Sequence, residues 1–469
     1  MVKTLVVDLD NTLIHTDILY ETFWDAFSRD WKIPIKSIFW LAKGKAYLKE
    51  RLYNHSNLNV KNLPYNKKVI NLIKQYKKSK GYIVLATASN HQLAKKIAKY
   101  LNLFDEVKGS TKKLNLKDKQ KAKYLKSRFG FKNFDYIGDS IVDLPVWKNS
   151  RKAFIINANP KIVKACRKIN SNLREIKSEL VQNTFFNYIK AIRMYQWIKN
   201  ILVFIPILAA HQFTVHNFMY SLLAFIAFCL MASHVYIVND LLDLNADRTH
   251  SIKKYRPFSS GQVAIKHGTL IFLFLFICST VLGFFIGVDF LAVLLFYWII
   301  TFMYSLIIKK ILILDIFVLG ILYTIRIIGG GSASEINVSI WLLFFSFFLF
   351  FSLASIKRQS EILDLKNVIK RRSYNIHYLS IVKFMVYCSS ILSVLIALLY
   401  LNSEKILSLY SKPWTLTLAC MVFSFWLVKM IICSNRGLID RDPILYALRD
   451  TTSRYCFVII IFLFIINFI

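Results

Sequence analysis

Residues 239–261 read NDLLDLNADRTHSIKKYRPFSSG, and they follow an apolar run, residues 218–238, that is long enough to cross a bilayer. If a helix continues from that run, Asn239, Asp243 and Asp247 share one of its faces, because they are spaced by four residues. Carboxylate oxygens bind hard cations such as Mg²⁺, and the basic residues that follow can bind phosphate oxygens. The alternative is a solvated loop with surface ion pairs. We favour a site for a metal ion and a pyrophosphate, because polar groups at membrane depth are expensive and usually functional.

The composition changes part-way along the 469-residue chain, which is long enough for two or three domains. Residues 1–190 are mixed and rich in lysine, whereas long apolar runs dominate beyond them. The net charge of +35 could serve nucleic-acid binding, but much of it lies between apolar runs. We therefore favour membrane topology and anionic substrates, and expect no nucleic acid. The seven cysteines are scattered and indicate core residues of a reduced chain. We expect no cleavable signal peptide.

The aspartate-rich stretch carries a resemblance to a known family. The pattern Asn239-Asp240-x-x-Asp243-x-x-x-Asp247 resembles the first aspartate-rich motif of the UbiA superfamily of intramembrane prenyltransferases. One branch, the decaprenyl-phosphate phosphoribosyltransferases, is resembled by four further motifs: Arg193-x-x-Gln196-Trp197-x-Lys199-Asn200, Asp247-Arg248-x-His250, Arg256-Pro257-x-x-x-Gly261 and Lys357-Arg358-x-x-Glu361. The resemblance covers roughly residues 190–469. The first motif alone indicates the superfamily, whereas the full set indicates the branch.

A second motif set begins near the N-terminus. Residues 3–8, KTLVVD, predict a buried strand. The segment Asp8-Leu9-Asp10-Asn11-Thr12 then resembles the DxDxT signature of haloacid-dehalogenase-like (HAD) phosphohydrolases. An aspartate at the carboxyl end of a central strand lies where open α/β sheets bind ligands. The resemblance implies that Asp8 attacks phosphorus, and that Asp10 protonates the leaving oxygen and then activates water.

The other HAD motifs follow in order. Thr87 ends a predicted strand and resembles the family's phosphate-binding hydroxyl. Asp139 and Asp143 follow a predicted strand over residues 134–137; Asp139 would join Asp8 and Asp10 in an Mg²⁺ site, and Asp143 would orient the motif lysine. For that lysine we choose Lys121, with Lys117 as the alternative. An inactive HAD scaffold is the other interpretation of this set.

These motifs predict an order of domains. We expect an α/β Rossmann-like HAD domain over residues 1–160, with a small helical cap at about 16–66. Residues 161–190 alternate basic and apolar positions, which suggests a linker with a basic amphipathic helix on the inner leaflet. An ordinary surface helix of the HAD domain fits this segment equally well. Residues 191–469 are expected to form an all-α, nine-helix transmembrane UbiA-type domain.

Nine apolar segments follow residue 198, of which the first and last are short for a span. They are residues 198–212, 218–238, 269–288, 290–308, 311–330, 338–356, 378–401, 413–433 and 453–469. Basic residues cluster after even-numbered segments, at Lys253, Lys254, Arg256, Lys309, Lys310, Lys357, Arg358, Arg371, Arg372, Arg436, Arg441 and Arg449; the opposite connections hold little beyond Lys405 and Lys412. The positive-inside rule then predicts an inner-membrane protein with a cytosolic HAD domain.

The second aspartate-rich motif of UbiA prenyltransferases, typically DxxxD, is incomplete in this chain. Asp315 is present, but position 319 is Leu, and Arg326 follows on the same apolar segment. One fewer acid and more bases suit a highly anionic donor. The resemblance implies 5-phosphoribosyl 1-pyrophosphate as the donor and a polyprenyl phosphate as the acceptor.

We assign the expected roles in the membrane part as follows. Metal binding is assigned to Asn239, Asp243 and Asp247, with Asp315 supporting. Substrate phosphates are assigned to Lys199, Arg248, Lys253, Arg256, Tyr304, Lys309 and Arg326 for the donor, and to Lys357 and Arg358 for the acceptor. The alternatives are a UbiA prenyltransferase that joins a polyprenyl diphosphate to an aromatic acceptor, and a membrane scaffold or transporter with a sensory HAD domain.

Overall fold

The computed structural model describes most of the chain as two compact units. The described residues are 3–111, 115–156, 159–177, 183–364, 378–401, 412–439 and 442–466. The first unit consists of Met1–Met194 with Tyr236–Phe274, and the second of Tyr195–Val235 with Leu275–Ile469. Residues 236–274, which include the aspartate-rich stretch, therefore belong to the same compact unit as the N-terminal residues.

The first unit contains a six-stranded, all-parallel sheet. Its strands are β1 Thr4–Val7, β2 Tyr82–Asn90, β3 Glu106–Ser110, β4 Phe134–Gly138, β5 Ala153–Ile156 and β6 Leu173–Ile176. Their order across the sheet is β3-β2-β1-β4-β5-β6. Its helices are α1 Ile18–Arg29, α2 Ile33–Ala42, α3 Lys45–His55, α4 Lys67–Lys78, α5 His91–Leu101, α6 Lys119–Phe129, α7 Leu144–Asn149 and α8 Pro160–Ile169. Strands alternating with helices produce this parallel arrangement.

Both faces of the sheet are buried. Leu5 and Val7 belong to one apolar cluster and Val6 to another, because successive side chains of a strand point to opposite faces. Strand β1 pairs with β2 on one side and with β4 on the other. The carboxyl ends of these three strands therefore meet at one edge, where three of the four predicted motifs lie, while the motif lysine is on α6.

Three helices, α1 to α3, form the insertion between β1 and α4, where the sequence predicted a small helical cap. Helix α1 begins after Asp17, whose side chain accepts a hydrogen bond from the Leu19 amide. Its buried residues include Trp24 and Phe27. The insertion thus lies directly after the first motif in the chain.

The structure of the segment after residue 160 differs from the predicted linker. Residues 160–169 form α8, which buries Cys166, and β6 then pairs with β5 and extends the sheet. The alternative prediction, an ordinary surface helix of the HAD domain, therefore describes α8 better than a linker on the membrane surface does. The sequence did not predict strand β6, because its residues, LREI, show little apolar periodicity. These residues form a strand because they pair with β5.

The remaining helices include long apolar ones and several short ones. They are α9 Phe185–Ile192, α10 Ile205–Ala209, α11 Val215–Leu242, α12 Leu244–Arg248, α13 Ile265–Ile286, α14 Val288–Leu306, α15 Leu312–Ala333, α16 Ile340–Asp364, α17 Leu379–Leu401, α18 Pro413–Asn435, α19 Pro443–Arg449 and α20 Thr451–Ile465. Within the described residues, seven helices are long and apolar enough to cross a membrane, or eight if the bent pair Phe185–Ile192 and Met194–Ala209 forms one span. The chain is an integral membrane protein.

The ninth predicted span is not established by this count. Helix α20 is a shorter apolar helix within the described residues, and residues 467–469 lie outside them. Arg371, Arg372, Lys405 and Arg441, used above for orientation, also lie outside the described residues, as does the side chain of Lys310. The fold therefore confirms a helical membrane part with seven or eight apolar helices.

Helix α15 packs closely against its neighbours in the second unit through three successive glycines. A Cβ atom on Gly330 would lie 2.0 Å from the carbonyl oxygen of Val203. A Cβ on Gly329 would lie 2.5 Å from the Phe228 ring, and one on Gly331 would lie 2.4 Å from Val338. Only glycine permits this approach, and the contact at Gly330 is with backbone, which cannot rotate away.

We expect Gly330→Ala to destabilise the protein in detergent by about 1–3 kcal/mol, because the added methyl group overpacks the contact with Val203. Thermal unfolding followed by circular dichroism measures this effect. Ser332→Ala on the same helix is the matched control and should unfold like the parent. Equal unfolding temperatures for the two variants would contradict the close approach.

Candidate active sites

The first candidate site lies at the edge where β1, β2 and β4 end. Asp8 follows β1 and is 9% exposed, and the Lys121 ammonium group from α6 lies 3.0 Å from its Oδ1 atom. The amide of Leu9 donates to the same oxygen at 2.9 Å. These two contacts hold the Asp8 carboxylate in one orientation, with a buried positive charge beside it.

Asp10 has a different set of partners. Its Oδ1 atom accepts a hydrogen bond from the Ile18 amide at 2.8 Å, and its Oδ2 atom accepts one from the Ser89 hydroxyl at 2.6 Å. The first contact ties Asp10 to the start of α1, and the second ties it to β2. Thr87, on the same strand, is fully buried, and its hydroxyl accepts from the Ser89 amide.

Three carboxylates at this edge could hold a metal ion. Oxygen atoms of Asp8, Asp139 and Asp143 lie within 4.8 Å of one another, and no other trio of acidic, histidine or cysteine ligands is found in the described part of the chain. Asp143, which we assigned to orienting the lysine, is the third member of this group, and the assignment of Asp10 to the metal stays a prediction. Clustered carboxylate oxygens are the ligands that hard cations such as Mg²⁺ prefer, so these residues fit a divalent cation.

The acids of the site are buried close to one another, which raises their pKa values. Burial raises the pKa of Asp8 to about 7, with Lys121 opposing the rise, and burial raises the pKa of Asp10 to about 6. Burial, followed by repulsion from Asp143 and Asp8, raises the pKa of Asp139 well above its ordinary value. One lysine does not balance this group of buried acids, and a bound divalent cation would.

Tyr136 was missed by the sequence reasoning. It lies on β4, accepts a hydrogen bond from the Lys121 ammonium group at 2.9 Å and donates to Asp143 at 2.6 Å. The Lys121 nitrogen also lies 3.6 Å from Asp143. Tyr136 therefore links the lysine to the aspartate. The alternative lysine, Lys117, is exposed.

The aspartate-rich stretch forms a second group in the first unit. Asp240 is 1% exposed and pairs with both Arg193 and Arg256, the latter at 2.9 Å. Arg256 also pairs with Asp247 at 2.6 Å. Burial and the Asp240 charge raise the pKa of Asp247, although Arg256 opposes them. Asp240, which was quoted in the motif but given no role, is therefore central to this charged cluster.

The other members of the stretch lie around this cluster. Asp243 follows the end of α11, but its amide still donates to the Asn239 carbonyl, and the Asp247 amide donates to the Asp243 carbonyl. The helical spacing therefore continues through the break, and Asn239 and Asp243 are half-buried. Lys253 is half-buried and its charge lowers the pKa of Asp247.

Arg248 is hydrogen-bonded to residues outside this charged cluster but within the same unit. Its two terminal nitrogens donate to the Glu21 carboxylate at 3.0 and 2.6 Å, and its Nε atom donates to the Ser259 carbonyl at 3.1 Å. We had assigned Arg248 to the donor phosphates. The structure places it instead in a buried ion pair with helix α1 of the cap.

The second unit contains a buried group around Asp315. Arg358 pairs with Asp315, donates to the Tyr304 hydroxyl at 3.0 Å and pairs with Glu361. The Tyr304 hydroxyl donates to Asp315 at 2.6 Å. The structure thus brings together three residues to which we gave different roles. Their mutual contacts neutralise a carboxylate and a guanidinium group that are almost completely buried.

Arg326 is held by neighbours on three sides. It donates to the Asn200 side chain at 2.7 Å, to the Tyr297 hydroxyl at 2.9 Å and to the Leu322 carbonyl. Its guanidinium group also lies over the rings of Tyr297 and Tyr323. These contacts account for a charge inside a span without any ligand, so Arg326 has a packing role whatever else it does.

Lys199 and Lys357 share an acidic neighbour. The Lys199 ammonium group lies 2.5 Å from the Asp442 carboxylate. Burial alone would raise the pKa of Asp442, but Lys199 and Lys357 hold it below its ordinary value. Two cations that we assigned to phosphates are therefore close to one carboxylate. Lys309 is half-buried at the end of α14.

The sequence matches the UbiA prenyltransferase family over residues 201–446, which is more than half of the chain. The chain belongs to this family. An uncharacterized protein, y4nM, of Sinorhizobium fredii is 32% identical over 457 residues, which cover 96% of this chain and 88% of that protein. The UbiA-type part of the chain is thus joined to its N-terminal part in a relative as well.

Two further similarities concern the two halves. Decaprenyl-phosphate phosphoribosyltransferase of Mycolicibacterium smegmatis is 32% identical over 186 residues, which are 39% of this chain and 58% of that protein. The chain therefore spans little more than half the length of that relative. A substrate-bound phosphoserine phosphatase structure is 16% identical, covers 35% of this chain and 91% of that one, and has a TM-score of 0.27.

The N-terminal unit of this UbiA-family protein is HAD-like. Asp8 and Asp139 directly follow β1 and β4, Asp10 lies two residues after Asp8, Thr87 lies within the neighbouring β2, and Lys121 reaches Asp8 from α6. This is the arrangement that the four sequence motifs predicted. The chain is therefore a fusion of a HAD-like domain and a UbiA-type membrane domain.

We expect Lys121→Met to lower phosphatase activity on a small phosphate ester at least about 100-fold, because it removes the buried cation beside Asp8. Turnover of p-nitrophenyl phosphate measures this loss. Lys117→Met removes an exposed lysine four residues earlier and should keep nearly parental activity. The opposite ranking would assign the motif lysine to Lys117.

Proposed function

We propose that this protein transfers phosphoribose from 5-phosphoribosyl 1-pyrophosphate to a polyprenyl phosphate, and that its HAD-like domain then removes the 5-phosphate of the product. The observation that carries the proposal is the fusion itself. A UbiA-type domain similar to decaprenyl-phosphate phosphoribosyltransferases is joined to a HAD-like site with its acidic and lysine residues in place. The product of the first reaction would carry the chemical group that the second site hydrolyses.

The transfer step needs two anions to be held at once. A phosphate oxygen of the acceptor would attack C1 of the ribose, and the bond between C1 and the pyrophosphate oxygen would break. Acidic residues of the aspartate-rich stretch, with Asn239, Asp243 and Asp247 as the assigned ligands, would hold Mg²⁺, which would neutralise the leaving pyrophosphate. Lys253 and Arg256, which lie beside these acids, would bind its oxygens.

The acceptor phosphate is best matched by Lys199 and Lys357. Both lie close to Asp442, so a phosphate could replace that carboxylate as their anionic partner. Arg358 and Asp315 neutralise each other in a buried pair, so we propose that they shape the pocket with Tyr304 rather than bind metal or phosphate directly. Arg326 would likewise position Asn200 and Tyr297.

The phosphatase step uses the geometry of the HAD-like site. Asp8 would attack phosphorus, while Asp10 gives a proton to the ester oxygen that leaves. Asp10 would then take a proton from water, which attacks the aspartyl-phosphate and releases inorganic phosphate. A pKa of about 6 suits a group that must act as acid and base near neutral pH. Lys121 would offset charge on Asp8 and the phosphate, with Asp143 and Tyr136 orienting it.

Both sites are proposed to face the cytosol at the inner membrane. The basic residues that follow the even-numbered apolar segments support this orientation by the positive-inside rule. With the bent first segment and α20 counted as spans, the membrane part would cross nine times. Phosphoribosyl pyrophosphate is soluble and highly charged, so a site for it must open to the aqueous side.

We expect full-length protein with Asp8→Asn to accumulate the 5-phosphorylated lipid, whereas the parent yields the dephosphorylated lipid. The substitution removes the nucleophile of the phosphatase and leaves the transferase intact. The measurement is mass spectrometry of lipid products after incubation with Mg²⁺, phosphoribosyl pyrophosphate and a polyprenyl phosphate. Identical product ratios in the two proteins would rule out hydrolysis of this product by the HAD-like site.

We expect Asp243→Asn to lower lipid transfer at least about 100-fold at ordinary Mg²⁺ concentration, because a charged ligand of a hard cation is lost. Asp243 is a sharper test than Asp247, whose loss would also leave Arg256 with one acidic partner fewer. Hydrolysis of p-nitrophenyl phosphate by the same variant should stay at the parental level. Asp289→Asn, an exposed acid at the start of α14, is the matched control.

A second function is favoured by the family match alone. A UbiA prenyltransferase would join a polyprenyl diphosphate to an aromatic acceptor and release diphosphate from the lipid. The Leu at position 319 counts against it, because the second acidic motif lacks its partner. Release of diphosphate from a prenyl donor, with no product from phosphoribosyl pyrophosphate, would establish this alternative.

A further inference from the structure

One face of helix α1 is built to contact the segment that contains the aspartate-rich stretch. The Glu21 carboxylate accepts two hydrogen bonds from Arg248, at 2.6 and 3.0 Å. The side chain of Asn245 donates to Asp25 at 2.5 Å. We call these residues, together with the tryptophan contact described next, the cap–loop interface.

Trp24 completes the interface. Its indole N–H donates to the Thr269 hydroxyl at 3.0 Å, and its ring packs edge-on against Phe272 with 5.7 Å between centroids. Trp24 is 1% exposed. All of these residues belong to the first compact unit, so the interface lies within one packed body rather than between the two units.

The charged pair gives this interface a fixed orientation. Both side chains of the Glu21–Arg248 pair are almost completely buried, and the third guanidinium nitrogen of Arg248 is also hydrogen-bonded. A buried ion pair often adds little net stability over apolar residues, but it tolerates only one geometry. The pair therefore sets how the cap sits on the loop.

The same helix is connected to the phosphatase acid. The Asp10 carboxylate accepts from the amide of Ile18, the first residue of α1, and Glu21 lies one turn further along the helix. On the other side, Arg248 directly follows Asp247, which pairs with Arg256. Helix α1 thus contacts Asp10 of one candidate site at its start, and along its side it contacts Arg248, the residue next to Asp247 of the other.

Positive charge also lies close to Asp17, the residue that precedes α1. Burial raises the pKa of Asp17, at the start of α1, and Lys49, Lys117 and Lys266 each oppose that rise. Lys266 lies at the start of α13, so the segment that follows the acidic cluster contributes charge next to the phosphatase site. Three cations there suit a substrate that carries a second phosphate besides the one to be hydrolysed.

We propose that the cap–loop interface directs the HAD-like site toward phosphate monoesters carried on a lipid at the aspartate-rich loop, in preference to soluble phosphate esters. This inference rests on the proposed function, and it adds a substrate class and a route: the ester reaches Asp8 from the membrane side while remaining attached to its lipid. The interface ties helix α1 of the HAD-like site to the aspartate-rich segment within one unit, and such tethering raises the effective concentration of a product released at that segment.

The test compares Glu21→Gln with the parent and with Glu175→Gln, an exposed acid on β6 whose ion pair lies at the surface. Glu21→Gln leaves a buried guanidinium group without its charge partner. We expect amide hydrogen exchange in α1 to become at least about tenfold faster in this variant. The 5-phosphorylated lipid should accumulate in a single turnover, while p-nitrophenyl phosphate is hydrolysed within about twofold of the parent rate.

Trp24→Phe provides a second variant, because it removes the bond to Thr269 and keeps an aromatic ring in place. It should shift the lipid ratio in the same direction, and Glu175→Gln should behave as the parent. Unchanged lipid ratios in both interface variants would overturn the inference, whether or not α1 exchanges faster. Failure of the proposed function has a different signature, since Asp8→Asn would then make the same lipids as the parent.

Discussion

Each buried charge in this protein has to be paired with another charge or with a polar group, because a lone ion in a low-dielectric interior is too costly. Lys121 meets Asp8 in the HAD-like site, and Arg248 meets Glu21 beneath the cap. In the second unit, Arg358 meets Asp315. The positions of the helices that carry these residues are constrained by the pairs, and so are the candidate sites.

This pairing distinguishes side chains that can still bind a ligand from those that already have a structural role. Arg326 donates to three neighbours and lies over two rings, so binding a phosphate would require it to give up contacts inside the span. Lys199 instead shares one carboxylate with Lys357. The proposed acceptor site is built around these lysines because a phosphate oxygen can take the place of a carboxylate oxygen as the partner of an ammonium group.

Helix α1 of the cap connects the HAD-like site with the aspartate-rich segment. Helix α1 is an ordinary part of a HAD-like insertion by its position, yet its outer face is used by residues 245–272. Asp10 of the HAD-like site accepts a hydrogen bond from the amide of Ile18, the first residue of the helix that contacts the aspartate-rich segment.

The sequence alone determined the features that depend on local patterns. Apolar runs, the strands before Asp8 and Asp139, and the order of the acidic motifs follow from hydrophobic periodicity and spacing along the chain. The structure decided which distant residues meet. Lys121 rather than Lys117 reaches Asp8 because of where α6 packs, and β6 exists because β5 offers it an edge.

The ion pair between Glu21 and Arg248 could not be predicted from the sequence, because it too depends on which distant elements pack together. Glu21 and Arg248 are 227 positions apart, and nothing in the sequence around either residue indicates that the two form a pair. A buried charge demands a partner, but local sequence does not say which element will supply it. Only the packing of α1 against the segment after α11 brought the two together, and with them the phosphatase cap and the aspartate-rich loop.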